Sequence, residues 1–437
     1  MPSEIVHETR RVLLDSLGCG VAGTATEAGR IVAEVMGSEH GPLEATIFRN
    51  GSASVASAAF ANTVLTNALD HDAYGPEGHV APVAVAVALA VAEATDAGWS
   101  DLVGGLIAGL EVGGRIGSAL RRFGLGAMRA VGAVRGHGHC VFAAAAAAGR
   151  VLHLNPQQMA HAFGIAGYSA NVPTLRKFFA SASPPMTKYD HLAAMSQAGI
   201  QAVLLARKGF TGDTQVLESE IGFWRFSGSD GCDWESLINQ LGTRWTIREM
   251  HYKPFPALLT MIPAIQVIRK ILDEHELRTE DVESIEIRLD RQIGFSVPEV
   301  PESPLQAQLN EAYTVAAGVL DLRPYRDWYT PRSYRSQAVL ALARRISFVP
   351  FAPGEIHASA NYWEGWSPVR VLVSAAGRAF DGAQDFLTPM TDEQIASKFH
   401  ENVGGLLSGG AADRLVGALL TNQREPTARD IARCLQA

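Results

Sequence analysis

The run VAPVAVAVALAVAEA, Val80 to Ala94, decides how this chain folds. It is apolar from Val80 to Ala92, interrupted only by Pro82, and ends at Glu93. That is shorter than the ~20 residues a helix needs to cross a bilayer. A helix apolar on nearly every side must be surrounded by other helices. LVGGLIAGLEVGG (102–114) and VFAAAAAAG (141–149) have the same character, and their small residues let backbones approach closely. Further candidate helices lie at 4–17, 27–37, 51–69, 80–97, 99–122, 139–153, 156–169, 190–208 and 214–220, from apolar residues at helical spacing. The first 220 residues therefore read as a helical bundle.

The texture changes after about residue 240. SIEIRL (284–289) and VRVLVSA (369–375) read as strands. Helices are expected near 257–275, 307–320, 333–344 and 391–398. The expected architecture is mainly α: this half reads as a smaller α+β domain, and the final segment, 400–437, is helical again and could return to the first domain.

The chain has 437 residues, 47% hydrophobic and 19% charged, with net charge -8. Such a composition describes a large buried core and argues against disorder. No basic run with interleaved aromatics is present, so nucleic acid is not an expected partner. Nor is a membrane. Cys19, Cys140, Cys232 and Cys434 are widely spaced without a CxxC pair and read as reduced thiols. The N-terminal stretch reads as an amphipathic helix rather than a signal peptide, so a cytoplasmic location is expected. No P-loop, strand-linked GxGxxG or GxSxG elbow appears, and nothing calls for a nucleotide.

Directly before Val80 stands LDHDAYGPEGH, Leu69 to His79. Three readings are open: a polar turn, a catalytic turn between two buried helices, or a metal site using Asp70, His71, Asp72 and His79. The metal reading lacks an HExxH-type spacing. RGHGHCVF, Arg135 to Phe142, runs into the polyalanine helix. Its glycines and the free N–H groups of the helix make an anion-binding terminus one reading; a structural loop and a metal site are the others. Lys188 and His191 share a face at the start of a helix. A cation there opposes the helix dipole, which a substrate carboxylate would resolve; the alternative is a surface lysine. Lys253 precedes a Pro-x-Pro turn. Tyr313 lies on an apolar helix, where a core tyrosine is the usual explanation.

These segments together resemble the MmgE/PrpD family, which includes 2-methylcitrate dehydratase, cis-aconitate decarboxylase and iminodisuccinate epimerase. The resemblance runs nearly end to end. It is carried by LLDSLGCGVAG, ALDHDAYGPEGH, AAAAAAGRVLHLNPQQMAHAFGIAGYSA, MTKYDHLAAMSQAGIQAVLLARKGFTG, the KPFP turn and AQLNEAYTVAAGVL. It implies a large all-helical domain from 1–250 plus 395–437 with an inserted α+β lid domain at 251–394, an active site in the cleft between them, a homodimer, and no metal or organic cofactor. Asp70 matches the first Asp of the family's L-D-F-D-D motif and His79 the histidine that follows it. Lys188 and His191 match K-x-x-H, Lys253 the lysine of the Pro-x-Pro turn, and Tyr313 the tyrosine of A-Q-F-S-x-x-Y. The chain departs from the pattern at Ala73, Tyr74, Val134 and Leu258. His137 takes the place of the family histidine aligned to Val134 only by a local shift. These departures point away from cis-aconitate as substrate.

The resemblance implies removal of a proton next to a carboxylate of a small di- or tricarboxylic acid. Lys188, Lys253 and Arg135 are expected to hold carboxylates, with His191, His137 and Tyr74 lining the substrate site. His79, whose ordinary pKa is near neutrality, is the expected proton carrier. Asp70 would orient it, and Tyr313 would deliver a proton to a leaving group or the opposite face. A dehydratase-type lyase is the first expectation; an epimerase and a non-catalytic carboxylate-binding homologue are the alternatives.

Overall fold

The computed structural model describes residues 1–38, 41–75, 78–121, 137–170, 181–218, 220–289, 295, 297–352, 355, 366–421 and 425–436. The fold is mainly α. α1 (Ser3–Gly23), α2 (Glu27–Gly37), α3 (Val55–Asn67), α4 (Val80–Thr95), α5 (Trp99–Arg121), α6 (Cys140–Val151), α7 (Pro156–Tyr168) and α8 (Thr187–Arg207) form the bundle. A short β1–β2 ribbon (Ala45–Thr46 with Ser52–Ala53) sits between α2 and α3.

α4 is buried along its whole apolar run, and α6 is buried from Cys140 to Gly149. α6 packs on α4, α5 and α8. These contacts are close because the facing residues are small. A Cβ built on Gly199 of α8 would lie 2.3 Å from the Ala144 Cβ and 2.8 Å from the Ala145 backbone nitrogen. Most candidate helices are present within a few residues. Residues 51–54 instead join the ribbon and the N-cap of α3, and 214–217 are turns rather than a helix.

The second region contains α9 (Ile262–Glu274), β3 (Val282–Leu289), α10 (Pro304–Leu309), α11 (Glu311–Val319), β4 (Ile346–Pro350), β5 (Trp366–Ala375) and β6 (Arg378–Phe386). The sheet order is β4-β3-β5-β6, with β3 and β4 parallel and the other pairs antiparallel. Ile285, Ile287 and Leu289 face Val373, Val371 and Val369 in register and bury one side of the sheet. α9 covers it. The helix expected at 307–320 is broken at Asn310, whose side chain accepts from the Tyr313 N–H and caps α11. The chain then returns to the bundle through α12 (Asp392–Val403), α13 (Gly409–Leu420) and α14 (Ala428–Gln436), with α12 packed on α1.

The buried apolar side chains form two clusters. One runs through α1–α8 and α12–α14; the other is built on α9, α11 and the sheet. Leu69 belongs to the second cluster, while Ala73 and Val80 belong to the first. The turn after α3 therefore lies where the cores meet. No described helix is long and apolar enough to cross a membrane. None of the four cysteines forms a disulfide among the described residues.

Gly199→Ala is expected to destabilise the protein by about 1–3 kcal/mol, because an added methyl in a packed interface forces a backbone shift. A denaturant unfolding curve with an unchanged slope and a lower midpoint would show it.

Candidate active site

α3 ends at Asn67, and the next residues fold into a turn rather than continuing the helix. Asp70 makes this possible by adopting a left-handed backbone, φ 53°. Aspartate tolerates that region better than most residues. The chain then pairs with the approach to the second region: the Tyr74 N–H donates to the His251 carbonyl (2.8 Å), and the His251 N–H to that of Tyr74 (2.9 Å). This pairing sets Lys253 beside the turn.

Asp70 is the hub of the site. Lys253 Nζ lies 2.6 Å from its Oδ1 and 2.7 Å from its carbonyl oxygen, and Lys188 Nζ lies 3.6 Å from its Oδ2. All three side chains are buried. Burial alone would raise the Asp70 pKa, but the charges of Lys188, Lys253 and His79 outweigh it and hold the carboxyl well below the ordinary carboxylate range. Lys188 is therefore not a surface lysine. The first turn of α8 delivers Lys188 to Asp70 and His191 to a neighbouring histidine.

His79 stands at the N-terminus of α4. Its Nδ1 lies 2.7 Å from Asp72 Oδ2, and its Nε2 lies 3.5 Å from Asp70 Oδ1. Asn67 Nδ2 donates to the other Asp72 oxygen at 2.9 Å. The carboxylate that orients His79 is thus Asp72, a correction to the expectation for Asp70. Burial raises the Asp72 pKa, but the charge and hydrogen bond of His79 override it, so this carboxyl is also held low. With Nδ1–H directed at Asp72, the lone pair of a neutral imidazole is on Nε2.

The other histidines close around this pair. His137, just before α6, places its ring 5.7 Å from that of His79 and stacks on His191 at 5.4 Å, with Nδ1 3.1 Å from His191 Nε2. Tyr74 presents its ring edge-on to His79 at 5.0 Å, and Lys253 Nζ lies 5.7 Å from the Tyr74 ring centre. Gly78, at φ 100°, lets His137 approach: a Cβ there would be 2.3 Å from His137 Nε2. Arg135 and Val134 lie outside the described residues.

Tyr313 is not presented to this group. It is fully buried among the side chains of the second core, and its hydroxyl donates to the Trp328 carbonyl. The expected proton donor is corrected to a framework residue, because its one proton is committed to a backbone acceptor. Leu258 is buried in the same core. Asn67 and Tyr189 are additions that the sequence did not single out, and Asp72 was named there only for the metal reading. Tyr189 follows Lys188 and donates to Gln308, whose amide reaches back to the Ala68 carbonyl.

Asp70, Asp72 and His79, three of the four residues in the metal reading of the turn, also supply three ligand atoms within 4.8 Å of one another. The donor set does not suit a cation. Lys253 already occupies one Asp70 oxygen and Lys188 approaches the other, so a divalent ion would sit against two ammonium groups. The arrangement suits an anion that exchanges for, or adds to, Asp70 at the two lysines. It also offers a histidine poised to move a proton beside them.

The comparisons with known proteins agree with this architecture. Residues 1–234 match the MmgE/PrpD N-terminal domain and residues 255–421 the MmgE/PrpD C-terminal domain. The chain belongs to the MmgE/PrpD family. It is 26% identical to human cis-aconitate decarboxylase, over 74% of this chain and 67% of that protein. It is 23% identical to a cis-aconitate decarboxylase-like protein of Aspergillus oryzae, over 100% of this chain and 93% of that protein. It is 28% identical to the mouse cis-aconitate decarboxylase, over 72% of this chain and 66% of that protein.

Because the folded pKa of Asp72 is depressed, its ionisation stabilises the fold above the ordinary carboxylate range and is lost as pH falls through the folded value. Below pH ~4 the wild type is expected to lose stability more steeply than Asp72→Asn. Parallel acid limbs in urea unfolding would contradict this.

Proposed function

We propose that this protein is an enzyme that removes a proton α to a carboxylate of a small di- or tricarboxylic acid, with a lyase outcome of the dehydratase type. The observation that carries the reading is the Asp72–His79 pair, set within one turn of two buried lysines that share a carboxylate. The membership of the MmgE/PrpD family and the lyases among its relatives support it.

In this reading Lys188 and Lys253 hold the substrate carboxylate and stabilise the negative charge that grows on it as the C–H bond breaks. Neutral His79 Nε2 accepts the α-proton, and Asp72 stabilises the imidazolium that results. The carbanion electrons form the new C=C bond as a β-hydroxyl leaves, and His79 returns its proton so that water departs. His137 and His191 line the side facing His79, and Tyr74 packs against the imidazole. Ammonium groups supply the electrostatic stabilisation, so the reading includes no resident metal. A subunit that pairs as a homodimer is part of the same proposal, by family resemblance.

A related carbanion, or another fate of the same one, gives other products. Loss of CO₂, the reaction for which the relatives are named, would form the carbanion by breaking a C–C bond instead of the C–H bond, and a His79 protonated beforehand would give it its proton. Reprotonation on the other face would give an epimerase.

Incubation in D₂O with 2-methylcitrate, cis-aconitate and one enantiomer of iminodisuccinate, followed by proton NMR, separates these outcomes. A new vinylic signal with loss of the hydroxy acid is expected. Deuterium at the α-carbon with stereoisomer equilibration would replace the lyase with an epimerase, and silence on all three would contradict the proposed substrate class. In whichever reaction appears, Asp72→Asn should lower kcat on the order of 10²–10⁴-fold with little change in KM, because the amide no longer stabilises the imidazolium. Full activity in a folded His79→Ala variant would remove His79 from the mechanism.

A further inference from the structure

A second buried ion pair lies beneath the turn, outside the group that would touch substrate. Asp15 comes from α1 and Lys398 from α12, from opposite ends of the chain. Both are buried, and Lys398 Nζ is 2.6 Å from Asp15 Oδ1. Each also holds the main chain of the turn. Lys398 Nζ donates to the His71 carbonyl at 2.6 Å, and Asp15 Oδ2 accepts the Ala73 N–H at 3.0 Å. The two held groups flank Asp72. With residues 71 and 73 fixed, and Asn67 on one oxygen, the other Asp72 oxygen is left pointing at His79.

Stability does not by itself account for such a pair. Burying two charges costs several kcal/mol per ion, and apolar residues of similar volume often do as well or better. Apolar residues would, however, leave a buried carbonyl and a buried N–H at residues 71 and 73 unsatisfied. The pair supplies one donor and one acceptor at the spacing that those groups require.

We infer that Asp15 and Lys398 are positioning residues, a clamp that joins the first and last parts of the chain and aims Asp72 at His79. This inference rests on the proposed role of the Asp72–His79 pair. It extends it to two residues that touch neither substrate nor the imidazole.

The test uses full-length protein labelled with ¹⁵N-histidine, with His79→Gln to assign the His79 signals. In the wild type, His79 should show the Nδ1–H tautomer. Asp15→Leu/Lys398→Met removes both charges without stranding one, and Lys398→Arg keeps the charge but changes the geometry. In each folded variant the His79 Nδ1–H signal should weaken or give way to a tautomer mixture. With an active carboxylate, kcat should fall by about tenfold or more while KM stays within about threefold. A folded variant that keeps both the wild-type tautomer and the wild-type kcat would overturn the clamp; if the double variant does not fold, Lys398→Arg decides. If wild-type protein turns over no carboxylate, the functional reading fails, and the tautomer measurement alone still decides the clamp.

Discussion

Six buried charges around one turn constrain the rest of this structure. Asp15, Asp70 and Asp72 face Lys188, Lys253 and Lys398, and none of the six is more than 6% exposed. Each charge has a partner of opposite sign or a hydrogen bond, because an isolated ion there would cost several kcal/mol. The lysines come from α8, the approach to α9, and α12, so the network cannot form until distant parts of the chain have packed. Removing Asp70 would leave Lys188 and Lys253 without their shared carboxylate, and removing either Asp15 or Lys398 would strand the other.

The surrounding fold meets that demand in two ways. The alanine- and glycine-rich helices α4, α6 and α8 approach closely, so that His79, His137 and Lys188, each at the start of one of them, converge on one point. The second region contributes through its entry segment, where backbone pairing of His251 with Tyr74 sets Lys253 against Asp70. The proposed reactive group therefore stands on helix ends and a doubly held turn rather than on a free loop. Such support keeps donors and acceptors aimed before substrate arrives, and preorganised charge of this kind gives most of its benefit in a site shielded from water.

Much of this was legible in the sequence. The apolar Val80–Ala92 run required burial and so a bundle, and the strands at 284–289 and 369–375 carried alternating apolar residues. β6 was not legible, because RAFDGAQDF at the sheet edge buries only Phe380 well. The turn was recognisable as a candidate site, and family resemblance singled out Lys188 and Lys253. Which aspartate meets His79 was not readable, because it depends on the left-handed backbone at Asp70, which rotates Asp72 toward the imidazole. The Asp15–Lys398 pair was invisible for a different reason: two charges far apart in sequence on amphipathic helices look like surface residues until α12 is seen against α1. Tyr313 was misjudged as a proton donor because its hydrogen-bond partner, a backbone carbonyl, leaves no trace in the sequence.

In the proposed mechanism the two lysines and His79 favour the α-carbanion of a carboxylate over the carboxylate itself. Calorimetric titration with a nitroalkane carboxylate, whose conjugate base is a nitronate resembling that carbanion, tests it directly against the saturated dicarboxylate of the same length. The nitronate should bind at least ~100-fold more tightly, as expected for a mimic of the unstable intermediate. Equal affinity for the two, or tighter binding of the dicarboxylate, would show a site built only to hold carboxylates and would contradict the account.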